Sequence, residues 1–227
     1  MSPTLRVLLL ACTLLLAAVA PSLACYSGLL VIPTADTVGA NQYDIETQFD
    51  GTVKMVKVDT YLLNTELGFS NRFEAGVDVD LRNKTDDRFL FNGKYLLAKS
   101  ADGKLAAAAG VCNCAPHLES TPYLVATQNF CRIRGTLGAS YLYHNTAAII
   151  GVDKTFTPHL TLIADYTTGK SNFYSVGINY HYNTRVGIMA GVEFPNDREL
   201  NTTRFSVHLV FNGPYRYGEE HNSHAYS

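Results

Sequence analysis

Ser206 and His208 stand two residues apart in "RFSVHLVF", so an extended chain sets a hydroxyl and an imidazole on one face. A nucleophilic pair needs a third, orienting acid, and spacing alone identifies none. Ser140 near His144, and the isolated His159 and His181, meet the same objection. The chain contains no G-x-S-x-G, H-E-x-x-H, P-loop or strand-linked G-x-G-x-x-G phrase. A hydrolase therefore ranks third among the functions considered, and the expectation is that the protein is not an enzyme. Cys112, Cys114 and His117 offer three metal-ligand types close together. No second C-x-C or paired-histidine cluster completes a four-ligand set, so neither metal nor cofactor is expected. The same cysteines suggest other chemistry: Cys131 joined to Cys112 or Cys114 would close the loop "APHLESTPYLVATQNF" by a disulfide.

A larger set of ionisable residues has a regular spacing. Glu74, Asp78 and Asp80 alternate with apolar residues, as do Arg132 and Arg134, and Arg185 and Glu193. Such alternation aims one set of side chains to one side of a strand. The expectation is that these seven line an interior, with Arg and Asp/Glu pairing across it and neither sign dominating. Rings of this kind set selectivity for small solutes when the interior is open.

The elements that must position them follow from period-two runs. "RFEAGVDVDLR" sets Phe73, Ala75, Val77, Val79 and Leu81 against Arg72, Glu74, Gly76, Asp78, Asp80 and Arg82. "GINYHYNTRVGIMAGVEF" reads as two such runs joined at Asn183-Thr184, a hairpin signal. Twelve runs can be counted from residue 42 onward, with ten as the alternative count. Tight turns at 70–71, 99–103, 155–158 and 183–184 alternate with longer loops at 51–59, 83–87, 114–121 and 195–201. No helical periodicity of useful length interrupts them. The runs are about nine to eleven residues long, the length of a tilted strand that spans a bilayer. Globular strands average nearer five or six.

The N-terminus reads as an export signal. Arg6 precedes the apolar stretch "VLLLACTLLLAAVA", and Ser22 and Ala24 supply a small-x-small cleavage site. Residues 1–24 are thus a signal peptide, and Cys25 could become a lipidated N-terminus. Residues 25–41 are an N-terminal segment and candidate lumen plug, 42–211 a barrel and 212–227 a polar tail. With 227 residues and a net charge of −2, the chain has no basic footprint for nucleic acid.

The two faces decide the solvent. The polar face carries many small residues, among them Gly68, Ala108, Gly138, Gly177 and Gly191, between charges of both signs. The opposite face is apolar and ends in aromatics such as Phe69, Phe73, Tyr141, Tyr180 and Phe211. Aromatic girdles around an apolar band are the pattern of lipid-facing barrels. The fold class expected is all-β: a closed antiparallel transmembrane β-barrel, because a bilayer tolerates no open sheet edge. The competing class is a soluble secreted β-barrel or sandwich that binds a ligand with those aromatics as its core.

The phrases "ELGFSNRFEAGVDVDL", "DKTFTPHLTLIADYTTGKSNFYSVGINYHY" and "RFSVHLVF" resemble the hairpins of Gram-negative outer-membrane β-barrel proteins. The opening "GLLVIPTADTVGANQYDIETQFDG" resembles the start of a barrel lipoprotein family linked to exopolysaccharide export. The first resemblance implies an outer-membrane location, with the lipid bilayer and the barrel-insertion machinery as partners. It implies no particular substrate, and small hydrophilic solutes or a polysaccharide are the candidate cargo. The sequence departs from the pattern after Phe211, where a polar tail follows the terminal aromatic.

Overall fold

In the computed structural model, residues 28–142 and 144–215 are described. The signal peptide, Cys25, Tyr143 and the tail from residue 216 lie outside them. Among the described residues twelve strands form one sheet: β1 Gln42–Thr52, β2 Lys57–Ser70, β3 Phe73–Asp80, β4 Phe89–Lys99, β5 Leu105–Cys114 and β6 Thr121–Phe130 make the first half. The second half is β7 Ile133–Leu142, β8 Asn145–Thr157, β9 Leu160–Thr167, β10 Phe173–His181, β11 Val186–Pro195 and β12 Arg204–Pro214. Each strand pairs antiparallel with its sequence neighbour, and β1 pairs with β12 from Gln42↔Pro214 to Thr52↔Arg204. The sheet closes, so no strand is left as an edge.

The alternation dictates which way each strand faces. On β1, Glu46, Gln48 and Asp50 are buried while the residues between them are partly exposed. On β7, Thr136 and Ser140 are buried, whereas Leu137 is 62% exposed. The same inversion runs around the wall. Asp50, Asn64 and Asp78 are 0% exposed, while Phe91 reaches 58% and Leu124 54%. A water-soluble barrel hides its apolar side chains; this one presents them outward and encloses its carboxylates. That is a surface built for lipid, and the soluble reading fails on it.

Both barrel ends of the chain, Gln42 and Pro214, lie at one rim. The turns at that rim are 71–72, 100–104, 131–132, 158–159 and 182–185. The opposite rim carries the longer connections, 81–88, 115–120 and 196–203 among them. Short turns beside the termini mark the periplasmic rim of an outer-membrane barrel. Strand limits differ modestly from the sequence reading. The wall extends to Pro214 rather than stopping at 211, and β1 and β2 meet across 53–56 where a loop over 51–59 was expected.

Antiparallel geometry overturns the expected disulfide. Cys112 sits opposite Thr121, at the far end of β6 from Cys131. The strand between them rises roughly 3.3 Å per residue, which leaves the two thiols at opposite rims. A disulfide needs Cα atoms within about 7 Å. Cys114 and Cys131 are free thiols, and Cys112 is disulfide-bonded to neither.

The segment before β1 runs inside the wall. Leu29, Leu30, Ile32 and Ala35 are buried and share one apolar cluster with Val125, Ile149, Ile163 and Met189, which point inward from β6, β8, β9 and β11. Glycines make the room. A side chain at Gly151 would meet Leu29 and Ile32, and one at Gly191 would meet Leu30.

Candidate lumen site

Closure of β1 on β12 builds the first polar cluster. Register sets Asp50 opposite Ser206 and Gln48 opposite His208, while β2 brings Asn64 opposite Glu46. Ser206 Oγ donates to Asp50 Oδ1 at 2.5 Å and lies 2.5 Å from His208 Nε2. His208 Nδ1 is 2.5 Å from Glu46 Oε1. Asn64 Nδ2 donates to both Glu46 and Gln48, and Gln48 Nε2 donates to Asp50 Oδ2 at 2.8 Å.

Glu46 is thus the acid beside His208 that spacing could not identify, since it lies 162 positions away in the chain and next to β12 only on closure. The atoms follow the order of a serine–histidine–acid relay, yet their hydrogens run the wrong way for one. The single Ser206 proton goes to Asp50, so His208 Nε2 must donate to Ser206 Oγ, and Nδ1 donates to Glu46. An imidazole with both nitrogens donating has no lone pair left to act as general base. As arranged, the trio is a fully engaged hydrogen-bond network and not an activated nucleophile.

Adjacent to it, Arg204 Nη2 meets Asp59 Oδ1 at 3.0 Å, with Glu193 Oε2 at 3.9 Å from Nε. On the neighbouring wall Glu74 of β3 sits directly opposite Lys94 of β4, and they pair at 3.0 Å. Asp78 accepts from Asn92 at 2.7 Å. Glu66, Glu74, Asn92, Lys94 and Tyr123 line a cavity of about 10 Å³, room for a single water. Farther round, Arg134 of β7 pairs with Asp153 of β8 at 3.1 Å, again directly opposite in register.

Five wall residues grip the inner segment. Asp165 Oδ2 accepts from Val31 N at 3.0 Å and also holds the Ser175 hydroxyl in a very short contact. Thr127 Oγ1 accepts from Ala35 N at 2.9 Å, and Glu74 Oε2 accepts from Val38 N at 2.5 Å. Asp36 is bound from two sides. Its carboxylate meets Arg134 Nη1 at 2.6 Å, and its carbonyl accepts from Lys94 Nζ at 2.7 Å. Near the periplasmic rim, a side chain on Gly68 would strike the backbone carbonyls of Val38 and Gly39, so only glycine admits the segment there.

The seven expected lining residues separate into two groups. Glu74, Asp78 and Glu193 are buried and inward, and Arg134 reaches inward to its two carboxylates. Asp80, at the end of β3, accepts the amide hydrogens of Arg82 and Asn83 and so caps the loop that follows. Arg132 and Arg185 are exposed in periplasmic turns, because β7 and β11 begin one residue after each. Their departure upsets the expected balance of charge. Buried carboxylates, with Glu46, Asp50, Asp59, Glu66, Asp153 and Asp165 added, far outnumber the cations Lys94, Arg134, Arg204 and His208. Sequence reasoning missed Lys94, Asp153 and Asp36. Lys94 was detectable, since Leu90, Asn92, Lys94 and Leu96 keep one parity; nothing local marks Asp36.

No family model matches this chain, and no curated protein sequence is significantly similar to it. Solved structures are similar in fold. The KdgM porin in complex with disordered oligogalacturonate superposes with a TM-score of 0.55 at 14% identity, over 74% of this chain and 98% of that one. A second structure of the KdgM porin gives 0.51 at 13% identity over the same shares. The NanC porin gives 0.51 at 9% identity, over 77% of this chain and all of its own length. Identities so low speak for the fold alone. Together with the inverted polarity of the wall, they give this chain a closed transmembrane β-barrel fold like that of those outer-membrane porins.

Proposed function

We propose that the protein is an outer-membrane channel for small hydrophilic solutes, closed at rest by residues 28–41. The observation that carries this reading is the fit between the segment and the wall. An empty aqueous pore has no use for an inward apolar patch, yet Val125, Ile149, Ile163 and Met189 form one against Leu29, Leu30 and Ile32. Burying each of those three side chains contributes about 2 kcal/mol. The carboxylate and threonine acceptors on the wall meet backbone amides of the same segment, so polar and apolar contacts agree on one seated position.

The test keeps the whole chain. L29S/L30S/I32S removes the apolar part of the seat and leaves the wall unchanged. In planar bilayers the intact protein is expected to show small or no conductance, and the triple variant a conductance several times larger. A large, steady conductance in the intact protein would reject the closed state, and silence in both would favour a structural role in the envelope. A saccharide cargo, implied by the likeness of residues 28–51 to the exopolysaccharide-linked barrels, belongs to this proposal as well. An oligogalacturonate, named with one of the similar porins, carries a carboxylate on each sugar and would meet an acidic lumen here.

A further inference from the structure

We propose that the opened lumen selects solutes bearing an ammonium group and rejects anionic ones. This rests on the channel reading above and adds the substrate class to it.

The acidic residues are not spread evenly. Strands β1, β2 and β3 are contiguous, and their inward positions hold Asp44, Glu46, Asp50, Glu66, Glu74 and Asp78. Cations on the wall answer only part of this stripe. Lys94 is engaged with Glu74, Arg134 with Asp36 and Asp153, and Arg204 with Asp59 and, at 3.9 Å, with Glu193. When the inner segment withdraws it takes only Asp36 with it, and Arg134 keeps Asp153. No wall cation is then released in excess. The arginines that might have offset the stripe, Arg132 and Arg185, stand in turns at the periplasmic rim.

An independent observation points to what the stripe lacks. Glu66 Oε2 and Asp78 Oδ1 are buried and accept no hydrogen bond, in side chains 2% and 0% exposed. Asp44 Oδ1, in the same stripe, also accepts none. Buried acceptors without donors are rare in folded proteins. Glu66 also borders the small cavity beside Lys94 and Tyr123. An ammonium group brings three donors and no acceptor. A carboxylated solute would bring only more acceptors and a second negative charge that the stripe repels. A cleft lined by one sign of charge concentrates counter-ions by roughly ten-fold or more.

The measurement is the reversal potential of L29S/L30S/I32S in a KCl gradient, together with proteoliposome swelling in glucosamine hydrochloride and in sodium glucuronate. The expected result is a preference for K⁺ over Cl⁻ of about ten-fold, and faster entry of glucosamine than of glucuronate. Adding E66Q/D78N, which keeps size and removes two charges, is expected to lower the ion preference several-fold. Heat-modifiable gel mobility confirms that this variant is folded, and Asp44→Asn offers a second substitution on the same stripe. A conducting variant with no preference, or with preference for Cl⁻, overturns this inference and leaves the channel standing. A variant that conducts nothing overturns both.

Discussion

Single side chains on this wall are judged by which solvent they meet. Lys94 is 2% exposed and its ammonium sits against Glu74. Replacing it with methionine removes the cation and leaves the carboxylate enclosed, a change that costs about 3–5 kcal/mol in buried pairs. E74Q/K94M removes both charges and is expected to recover most of that loss, measured by urea unfolding in detergent micelles. The outer face obeys the opposite rule. Leu137 projects outward from the middle of β7, and Leu137→Arg places a cation in lipid at roughly 2–4 kcal/mol. Its neighbour Thr136 faces inward and shares a hydroxyl–hydroxyl contact of 2.9 Å with Thr127. Thr136→Ser keeps that contact, so the amount of folded barrel in isolated membranes is expected to fall for the first variant and hold for the second.

At the scale of the strand and its turn, chemistry is set by which rim a residue reaches. Cys131 is exposed in the β6–β7 turn, whereas Ser171 is exposed in the β9–β10 connection at the other rim. A membrane-impermeant maleimide added to intact cells is therefore expected to miss Cys131 and to label it once the outer membrane is permeabilised. Ser171→Cys is expected to react in intact cells. The reverse pattern would invert the barrel in the membrane. Position along a strand also separates Arg134, which reaches two carboxylates, from Arg132, which reaches neither, although both share parity. Two residues of strand length carry a side chain from the turn into the lumen.

The whole molecule depends on one non-local pairing, β1 with β12. Every other ladder joins strands adjacent in sequence. Ending the chain at Thr203 removes β12, exposing the edges of β1 and β11 together with Asp50 and Glu46. In a bilayer those edges have no water to satisfy them. Heat-modifiable mobility and membrane-integrated protein are both expected to vanish in this truncation. Folded, protease-resistant barrel surviving in membranes would show that closure is not required.

Much of the architecture was legible in the residues themselves. Alternation such as that of "RFEAGVDVDLR" is a local property, and a period of two with runs of bilayer length leaves few solutions once edges are forbidden. Twelve strands, the inside-out polarity and the inward aim of Glu74, Asp78 and Glu193 all follow from it. What the sequence could not contain is distance across the closed sheet. Glu46 meets His208, Asp36 meets Arg134, and Cys131 is held a full strand away from Cys112 because of register and closure, not spacing. The sign of the lumen belongs to the same class. Strand ends leave Arg132 and Arg185 in turns, and two residues of register turn an evenly charged face into an acidic one.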